Sequence, residues 1–324
     1  MAVYTNVSDE QLVDFLKDYD IGQPTSFKGI AEGVENTNFL LETEKGRYIL
    51  TLYEKRVNKD DLPFFLHLID HLAKAGISCP TPISDKDNQA LGTCAGRPAA
   101  LFTFLDGMSV KTPKAHHCSA LGTVLAHFHQ KGQDFTMKRE NSFTIKGMQN
   151  FYQNIDGDIE TIEPSLRKLI EDELNFLFHN WPQDLPKGVI HADLFPDNVF
   201  FLGDEISGLI DFYFACTDFL MLDVAITMNA WCFEPDASFN VTKANRLLES
   251  YHKIRPISEQ EFATLPIMAR AAALRFLLTR TNDWFLPNEG ALVAKKNPQE
   301  YIRKLKFHRA IDNPKSYGLT SGLQ

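Results

Sequence analysis

Residues 189–211 of the chain read VIHADLFPDNVFFLGDEISGLID. The stretch leaves an apolar run, turns polar at residues 191–193 and reaches Asn198 in the pattern H-x-D-L-x-x-x-N. It then becomes apolar again, turns at residues 203–205 and returns to Asp211, which predicts a β-hairpin before this aspartate. The sequence therefore predicts a polar loop after one strand and a second carboxylate at the end of the hairpin.

These residue types suit the transfer of a phosphoryl group from ATP to an alcohol. The reaction needs a carboxylate that orients the hydroxyl group and accepts its proton, and it needs oxygen ligands for Mg²⁺. We expect Asp193 to be the catalytic base, and Asn198 and Asp211 to hold Mg²⁺. His191 is expected to brace the loop by hydrogen bonds. Polar turn residues between buried strands are the simpler interpretation, but the complete set of residues favours a phosphotransferase site.

The same stretch resembles the catalytic loop of the aminoglycoside phosphotransferase-like kinases, which are small-molecule kinases related in fold to protein kinases. Within that superfamily the chain resembles the bacterial homoserine kinases of this type. The resemblance extends over about residues 28 to 285. Besides the loop itself, the phrases that carry it are KGIAEGVENTNFLL, YILTLYEKR, DLPFFL, RPAALFTFLDG, NAWCF and ALRFLLTR.

The resemblance implies a bilobal, protein-kinase-like α+β fold. Residues 1–106 would form an N-lobe, with an antiparallel sheet and a helix, that covers the nucleotide. Residues 107–324 would form a larger, mostly helical C-lobe with the catalytic loop and the acceptor-binding helices. The resemblance also implies that ATP and Mg²⁺ are the cofactors. The reaction would convert L-homoserine to O-phospho-L-homoserine in threonine biosynthesis.

Two segments of the expected N-lobe would contact ATP. Residues 25–41 predict two strands around a turn-rich centre, which in a kinase-like fold covers the phosphates with backbone N–H groups. Glycines permit that approach, although the pattern differs from G-x-G-x-x-G. By resemblance, the backbone after the strand that begins at Arg97 is the hinge that binds adenine. The candidate nucleotide-binding residues are Gly29, Gly33, Asn36, Asn38, Phe104, Leu105 and Asp106.

The third predicted strand departs from the kinase pattern. Kinase-like proteins place a Lys or Arg there, paired with a Glu of the next helix, but here Thr51 takes that position. In place of the Glu, the predicted helix at about residues 59–75 offers Asp61, Phe64, Phe65 and His67. The joint loss is physically coherent, because a buried Glu without its cation would be costly. Lys55, Arg56 and Lys59 are candidates for the missing phosphate contact, and solubilising surface charges are the simpler interpretation of them.

The acceptor site is expected among the helices of the C-lobe. An amino-acid acceptor needs a cation for its carboxylate, which Arg provides with a bidentate fork. Arg275 and Arg280 lie on one predicted helix and are candidates, although salt bridges explain each of them as well. Asp218 is a candidate contact for the amine. Asp223 is expected to begin a helix and to brace the catalytic loop.

Composition places the chain among soluble globular proteins. It has 324 residues, of which 44% are hydrophobic and 23% charged, so it can bury a sizeable core. The net charge of −9 is unsuited to a nucleic-acid surface. The five scattered cysteines and the absence of an N-terminal signal pattern predict a cytoplasmic protein. No apolar run approaches the ~20 residues of a membrane span, so a membrane is not an expected partner. The resemblance to the homoserine kinases implies a small-molecule substrate.

Other elements follow from apolar spacing and capping. Residues 113–131 and 159–179 predict amphipathic helices, and a capping box at residues 258–261 begins another helix. Residues 132–150 are interpreted as a polar connection. The tail from Leu305 is interpreted as basic, poorly patterned and partly mobile.

Three other functions remain open at this point. A sister kinase could act on choline or an aminoglycoside, but choline favours an aromatic box and neither acceptor offers a carboxylate to an arginine. A non-catalytic ATP-binding module is favoured by the missing strand Lys and opposed by the intact Asp193, Asn198 and Asp211. A metal-dependent hydrolase would normally show a His-rich or bridging carboxylate cluster.

Overall fold

The computed structural model describes residues 5–30, 36–54, 58–286 and 295–319. These residues form two compact units. The first unit contains the described residues up to Asp106 together with Ser207–Tyr213. The second contains Gly107–Ile206 and the described residues after Tyr213. Asp211 is therefore part of the first unit, although it follows the catalytic loop in the sequence.

An antiparallel sheet dominates the first unit. The elements are α1 (Asp9–Leu16), β1 (Pro24–Ile30), β2 (Asn36–Thr43), β3 (Gly46–Tyr53), α2 (Leu62–Lys74), β4 (Pro82–Ile83), β5 (Gly92–Cys94) and β6 (Arg97–Thr103). The strands occur in the order β1-β2-β3-β6-β4, and β5 also pairs with β6. Along β2, buried residues alternate with less buried ones, so one face of the sheet packs on the core. Leu41, Leu50 and Leu101 of the sheet meet Phe15 of α1 in that core.

Local capping sets the ends of α1 and α2. The Ser8 hydroxyl accepts the N–H of Gln11 at 3.2 Å, and the Gln11 side chain accepts the N–H of Ser8 at 3.0 Å. These two hydrogen bonds form a capping box. α2 ends at Lys74, and Gly76 follows with a φ of +88°. Such a left-handed residue is a common stop for a helix, and glycine adopts it without strain.

Helices make up most of the second unit. They are α3 (Ala115–Lys131), α4 (Ile145–Gln153), α5 (Leu166–Asn180), α6 (Leu220–Trp231), α7 (Val241–Ile254), α8 (Glu259–Phe285) and α9 (Gln299–Arg309). The short strands of this unit are β7 (Met108–Ser109), β8 (Lys187–Ile190), β9 (Val199–Leu202) and β11 (Cys216–Phe219). A further strand, β10 (Glu205–Leu209), begins in the second unit and ends in the first. α3 and α7 pack so closely that a Cβ at Gly122 would lie only 2.2 Å from the carbonyl oxygen of Leu247, so the contact requires glycine at this position.

Helix α8 is a core helix of the second unit. The Ser258 hydroxyl accepts the N–H of Glu261 at 3.2 Å, and the Glu261 carboxylate accepts the N–H of Ser258 at 3.0 Å, so the predicted capping box is present. Within the described ranges, α8 is the one helix long and apolar enough to cross a membrane. Its apolar window is 67% buried inside the protein, and it also buries Arg275 and Arg280, which is typical of a core helix.

The structure corrects two sequence interpretations of the second unit. The expected polar connection at residues 132–150 contains the start of α4, which Thr144 caps by accepting the N–H of Gly147 at 3.1 Å. The tail from Leu305 is basic, as predicted, but it is not without pattern, because it completes α9 and Tyr317 beyond that helix is fully buried. Several basic residues hid this apolar pattern, and one of them, Lys304, is itself buried. The partial mobility of the tail stays a prediction.

Candidate active site

The catalytic loop leads out of β8, which ends at Ile190. Its last three residues form a 3₁₀ turn, in which the N–H of Asn198 donates to the carbonyl of Phe195 at 3.0 Å. The side-chain amide of Asn198 donates to the main-chain carbonyl of Asp193 at 2.8 Å and to its carboxylate at 3.2 Å. The structure therefore brings Asp193 and Asn198 together.

Ala192 adopts a left-handed backbone conformation with a φ of +63°. A residue with a Cβ is strained there, so surrounding contacts must hold it. Its N–H donates to the carboxylate of Asp223 at 2.8 Å, and its carbonyl accepts from the guanidinium of Arg275. The N–H of the preceding His191 also donates to Asp223, at 2.8 Å. One buried carboxylate and one buried guanidinium thus fix the turn that leads into Asp193.

Asp223 lies in the first turn of α6 and is fully buried. It also accepts from Nε2 of His129 at 3.1 Å, and Nδ1 of His129 lies 2.6 Å from the Tyr251 hydroxyl. Burial lowers the pKa of His129, which favours its neutral form. Because an ionised carboxylate can only accept, the neutral ring carries its proton on Nε2, and its Nδ1 accepts from Tyr251. Burial alone would raise the pKa of Asp223, but the donors around it outweigh that effect and lower the pKa. We call Tyr251, His129 and Asp223 the loop-bracing network.

Arg275 reaches the loop from α8. Its guanidinium is buried among the rings of Phe143, Phe214 and Phe276, between 4.7 and 5.2 Å from their centroids. Burial raises the pKa of the Asp193 carboxyl, and Arg275 is the largest of the positive charges that oppose this rise. The arginine thus positions the loop and favours the ionised form of Asp193. Its contact with a substrate carboxylate stays a prediction.

Arg280 and Asp218 are both bonded within the second unit. Arg280 donates to the carboxylate of Glu300 at 2.6 Å. Asp218 accepts from the side-chain amide of Asn141 at 2.7 Å and from the N–H of Phe219 at 2.8 Å. These contacts favour structural roles, and the predicted substrate contacts of both residues remain predictions.

A lysine that the sequence analysis did not single out lies beside the catalytic loop. Nζ of Lys296 is 3.5 Å from a carboxylate oxygen of Asp197 and 5.2 Å from the ring centroid of Phe195. It is also one of the cations that lower the pKa of Asp193 against the larger raising effect of burial. Lys296 is far from the loop in sequence, so no spacing pattern indicates it.

In the first unit, most of the predicted phosphate-covering residues lie on β1 and β2. Gly29 is part of β1, and Asn36 begins β2 with its side chain buried. The hydroxyl of Thr51 donates to Oδ1 of Asn38 at 2.7 Å, so Asn38 joins two strands. Lys59 is exposed in the turn before α2. The predicted residues that fall outside the described ranges are Gly33, Lys55 and Arg56.

Neutral side chains occupy the place of the Lys–Glu pair of other kinases. Thr51 is buried in β3, and Phe65 is buried in α2. The rings of Tyr53 and Phe65 meet Tyr213 edge-on, at centroid distances of 5.4 and 5.6 Å, and the two tyrosine hydroxyls are 3.3 Å apart. A lone charge among these groups would be costly. The aromatic cluster agrees with the predicted joint loss of the strand Lys and the helix Glu.

The predicted hinge follows β6. The N–H of Phe104 donates to the carbonyl of Arg47 at 3.2 Å, so an adenine contact at Phe104 would use its carbonyl oxygen. The Arg47 guanidinium lies 4.2 Å from the ring centroid of Phe104 and donates to Asp106 at 2.8 Å. Leu105 packs against Gly208, where a Cβ would lie 2.7 Å from the Leu105 side chain. These contacts hold the hinge backbone in place.

Asp211 follows β10 and is exposed. Its φ is +63°, which is uncommon for a residue with a Cβ. Strained conformations of this kind cluster at functional sites. The observation agrees with a functional role for Asp211 and leaves its metal contact a prediction.

An antiparallel-sheet unit, a helical unit and an H-x-D-L-x-x-x-N loop held by a buried carboxylate together define a kinase with a protein-kinase-like fold. The chain belongs to the phosphotransferase enzyme family, whose model matches residues 26–257. The matched part of the chain includes the catalytic loop, the hairpin and the loop-bracing network.

Curated relatives are similar over nearly the full length of the chain. It is 57% identical over 321 residues to the homoserine kinase of Xanthobacter autotrophicus, and the alignment covers 99% of this chain and 100% of the relative. It is 54% identical over 319 residues to the homoserine kinase of Rhizobium meliloti, which covers 98% of each chain.

Solved structures share the fold at low sequence identity. An amicoumacin kinase in complex with AMP-PNP and Ca²⁺ has a TM-score of 0.69 at 16% identity, covering 95% of each chain. A microcompartment-associated aminopropanol kinase has a TM-score of 0.68 at 16% identity, covering 96% of this chain and 99% of the other. The bilobal, protein-kinase-like α+β fold predicted from the sequence is confirmed.

Proposed function

We propose that this chain transfers the γ-phosphoryl group of ATP to the side-chain hydroxyl of L-homoserine, giving ADP and O-phospho-L-homoserine. The observation that carries the proposal is the 57% identity, over 99% of the chain, to a homoserine kinase. The family match supports the reaction class. The reaction belongs to threonine biosynthesis. We place it in the cytoplasm, where the five buried, free cysteines stay reduced.

Asp193 acts on the acceptor hydroxyl. It orients the hydroxyl and accepts its proton while the homoserine oxygen forms a bond to the γ-phosphorus and the bond to the ADP oxygen breaks. Burial raises the pKa of Asp193, which strengthens it as a base. Asn198 holds its carboxylate through the 3.2 Å contact, and Arg275 holds the preceding turn. Catalysis is thus mainly positioning and electrostatics.

Asn198 and Asp211 suit Mg²⁺. This ion prefers oxygen ligands and keeps several waters, so an amide oxygen and a carboxylate are a sufficient protein contribution. The amide nitrogen of Asn198 is bonded to Asp193, which leaves Oδ1 as its metal-binding atom. Asp211 supplies an exposed carboxylate. When bound, Mg·ATP supplies the transferable phosphoryl group, and the metal offsets the phosphate charge.

Backbone groups of the first unit bind the nucleotide. The β1–β2 segment covers the phosphates, and the hinge contacts adenine through main-chain atoms of Leu105 and Asp106 and the carbonyl of Phe104. Asn36 and Asn38 shape the strand that enters this segment. The hydrogen bond from Thr51 supports a packing role for Asn38.

The acceptor is expected to be L-homoserine. ADP release with Mg·ATP should be strong on L-homoserine and weak on L-serine, L-threonine, choline and kanamycin, measured in parallel with a coupled assay. Homoserine has the carboxylate that choline and kanamycin lack, and it is one methylene group longer than serine. Strong turnover on another acceptor would support the kinase assignment but refute the assignment of L-homoserine as the acceptor. ATP binding without ADP release on any acceptor would instead support the non-catalytic module.

Arg275→Lys is expected to lower kcat by about 10- to 100-fold, because small displacements of a catalytic group cost rates of this order. Lysine keeps the charge but loses the planar group that donates to Ala192 and stacks on the surrounding rings. Steady-state kinetics on L-homoserine measure the effect. Arg280→Lys is the matched control, because Arg280 lies on the same helix and pairs with Glu300. Equal kcat values for the two variants would contradict the positioning role of Arg275.

A further inference from the structure

An α-amino-acid acceptor brings two charges to the active site, a carboxylate and an ammonium group. The two arginines predicted to meet the carboxylate are engaged elsewhere. Arg275 donates to the carbonyl of Ala192, and Arg280 donates to Glu300. The head group of the acceptor therefore needs other partners close to Asp193.

Lys296 and Asp197 present both charges beside the catalytic base. Asp197 directly precedes Asn198 in the catalytic loop, and Nζ of Lys296 is 3.5 Å from its carboxylate. That distance exceeds an ordinary hydrogen bond of about 2.7–3.2 Å, so the pair is not closed. The Lys296 and Asp197 side chains are 53% and 63% exposed. An exposed pair of this kind contributes little to stability, so a ligand can separate it at small cost.

Aromatic packing keeps Lys296 over the loop. Its ammonium group lies 5.2 Å from the ring centroid of Phe195, and this ring packs edge-on against Phe276 at 4.9 Å. The neighbouring Lys295 donates instead to the carbonyl of Trp284 at 2.8 Å. The two adjacent lysines thus have different partners, and Lys296 is the one directed to the catalytic loop.

We propose that Lys296 binds the α-carboxylate of the acceptor and that Asp197 binds its α-ammonium group, which directs the side-chain hydroxyl to Asp193. This inference rests on the proposed function, since it requires an amino-acid acceptor. On binding, Lys296 exchanges the carboxylate of Asp197 for the carboxylate of the acceptor. Asp197 exchanges the ammonium group of Lys296 for the ammonium group of the acceptor. The site selects zwitterionic amino alcohols over those with a single charge.

The test compares acceptors that lack one charge. L-Homoserine, 4-hydroxybutanoate without the ammonium group, and 3-aminopropan-1-ol without the carboxylate are assayed as substrates, or as competitive inhibitors where turnover is slow. Lys296→Met should lower kcat/KM, or raise the inhibition constant, by about 10- to 100-fold for the two carboxylates, mainly through binding. It should leave the binding of 3-aminopropan-1-ol, measured as its KM or inhibition constant, unchanged. Asp197→Asn should weaken the two amines and spare 4-hydroxybutanoate.

Two further variants separate the local contact from a general charge effect. Lys296→Arg keeps the cation and should retain most of the homoserine affinity. Lys168→Met removes an exposed lysine from α5, where it pairs with Asp172 at 3.1 Å, and should match the wild type on all three acceptors. Thermal unfolding of each variant checks that the fold is intact.

Four results would overturn the inference. Unchanged homoserine kinetics in Lys296→Met would exclude the carboxylate contact. An equal loss on all three acceptors, with a raised KM for ATP, would assign Lys296 to the phosphates. If the wild type turned over no homoserine, the proposed function would fail and the inference with it. If the wild type turned over homoserine normally but the Lys296 and Asp197 variants did not discriminate among the three acceptors, the inference would be refuted and the proposed function would stand.

Discussion

Asp193→Asn is expected to lower kcat on L-homoserine by about 10²- to 10⁴-fold, because general-base catalysis contributes rates of this order. Asparagine has nearly the same size, and its carbonyl oxygen can still accept the hydrogen bond from Asn198. The main-chain bond between the two residues is untouched. ATP affinity should therefore change little. Coupled ADP release measures kcat, and calorimetric titration measures nucleotide binding.

A matched carboxylate variant controls for the loss of one negative charge. Asp204 lies in the turn between β9 and β10, and its side chain is 84% exposed. Asp204→Asn should therefore keep wild-type turnover. Near-wild-type turnover in Asp193→Asn would remove Asp193 as the base, and loss of ATP binding would show that the substitution disturbs more than proton transfer.

Asp223→Ala is expected to destabilise the second unit by at least about 3 kcal/mol and to abolish turnover. Three buried donors would lose their acceptor: the N–H groups of His191 and Ala192 and Nε2 of His129. Each unsatisfied donor costs about 1–3 kcal/mol. The strained turn at Ala192 would also lose the contact that holds it. Urea unfolding followed by circular dichroism measures the change in the free energy of unfolding.

Tyr251→Phe provides the graded comparison. It removes the outermost hydroxyl of the loop-bracing network, which donates to His129, and should cost about 1 kcal/mol with turnover largely kept. If Asp223→Ala cost no more than Tyr251→Phe, Asp223 would not be the residue that holds the loop.

The pH dependence of unfolding gives a second check on Asp223. Its donors outweigh the effect of burial and lower its pKa in the folded state, so its contribution to stability is fully present above the ordinary Asp value of about 4. The contribution decreases as the pH falls through the lowered, folded-state pKa. The difference in stability between the wild type and Asp223→Ala should therefore shrink below about pH 4. A difference that does not change with pH would contradict an ionised Asp223.

Local signals made part of the site predictable. The spacing of Asp193 and Asn198 fits one turn of the loop, and the hairpin follows from the apolar runs on either side of Gly203. The capping boxes were predictable for the same reason, because each is formed by residues three positions apart. The loss of the strand Lys was visible at Thr51, whereas the aromatic cluster that replaces it requires the fold.

Residues that act over long sequence separations were not predictable. His129 lies on the buried face of α3 beside apolar residues, so only its contact with Asp223 shows that it acts on the catalytic loop. Most of the middle of α8 is buried, so helical periodicity could not show that Arg275 meets the loop while Arg280 meets Glu300. Lys296 carries no local signal at all.

The two N–H groups bonded to Asp223 also determine how the catalytic turn moves. Their acceptor is a fully buried carboxylate of α6, so these amides can exchange with water only when the turn and the helix separate. Local opening of a surface loop is nearly free in energy, whereas opening of a packed core approaches the cost of global unfolding. We therefore expect the turn that leads into Asp193 to exchange as slowly as the core of the second unit. Its geometry persists from one turnover to the next instead of being rebuilt each time.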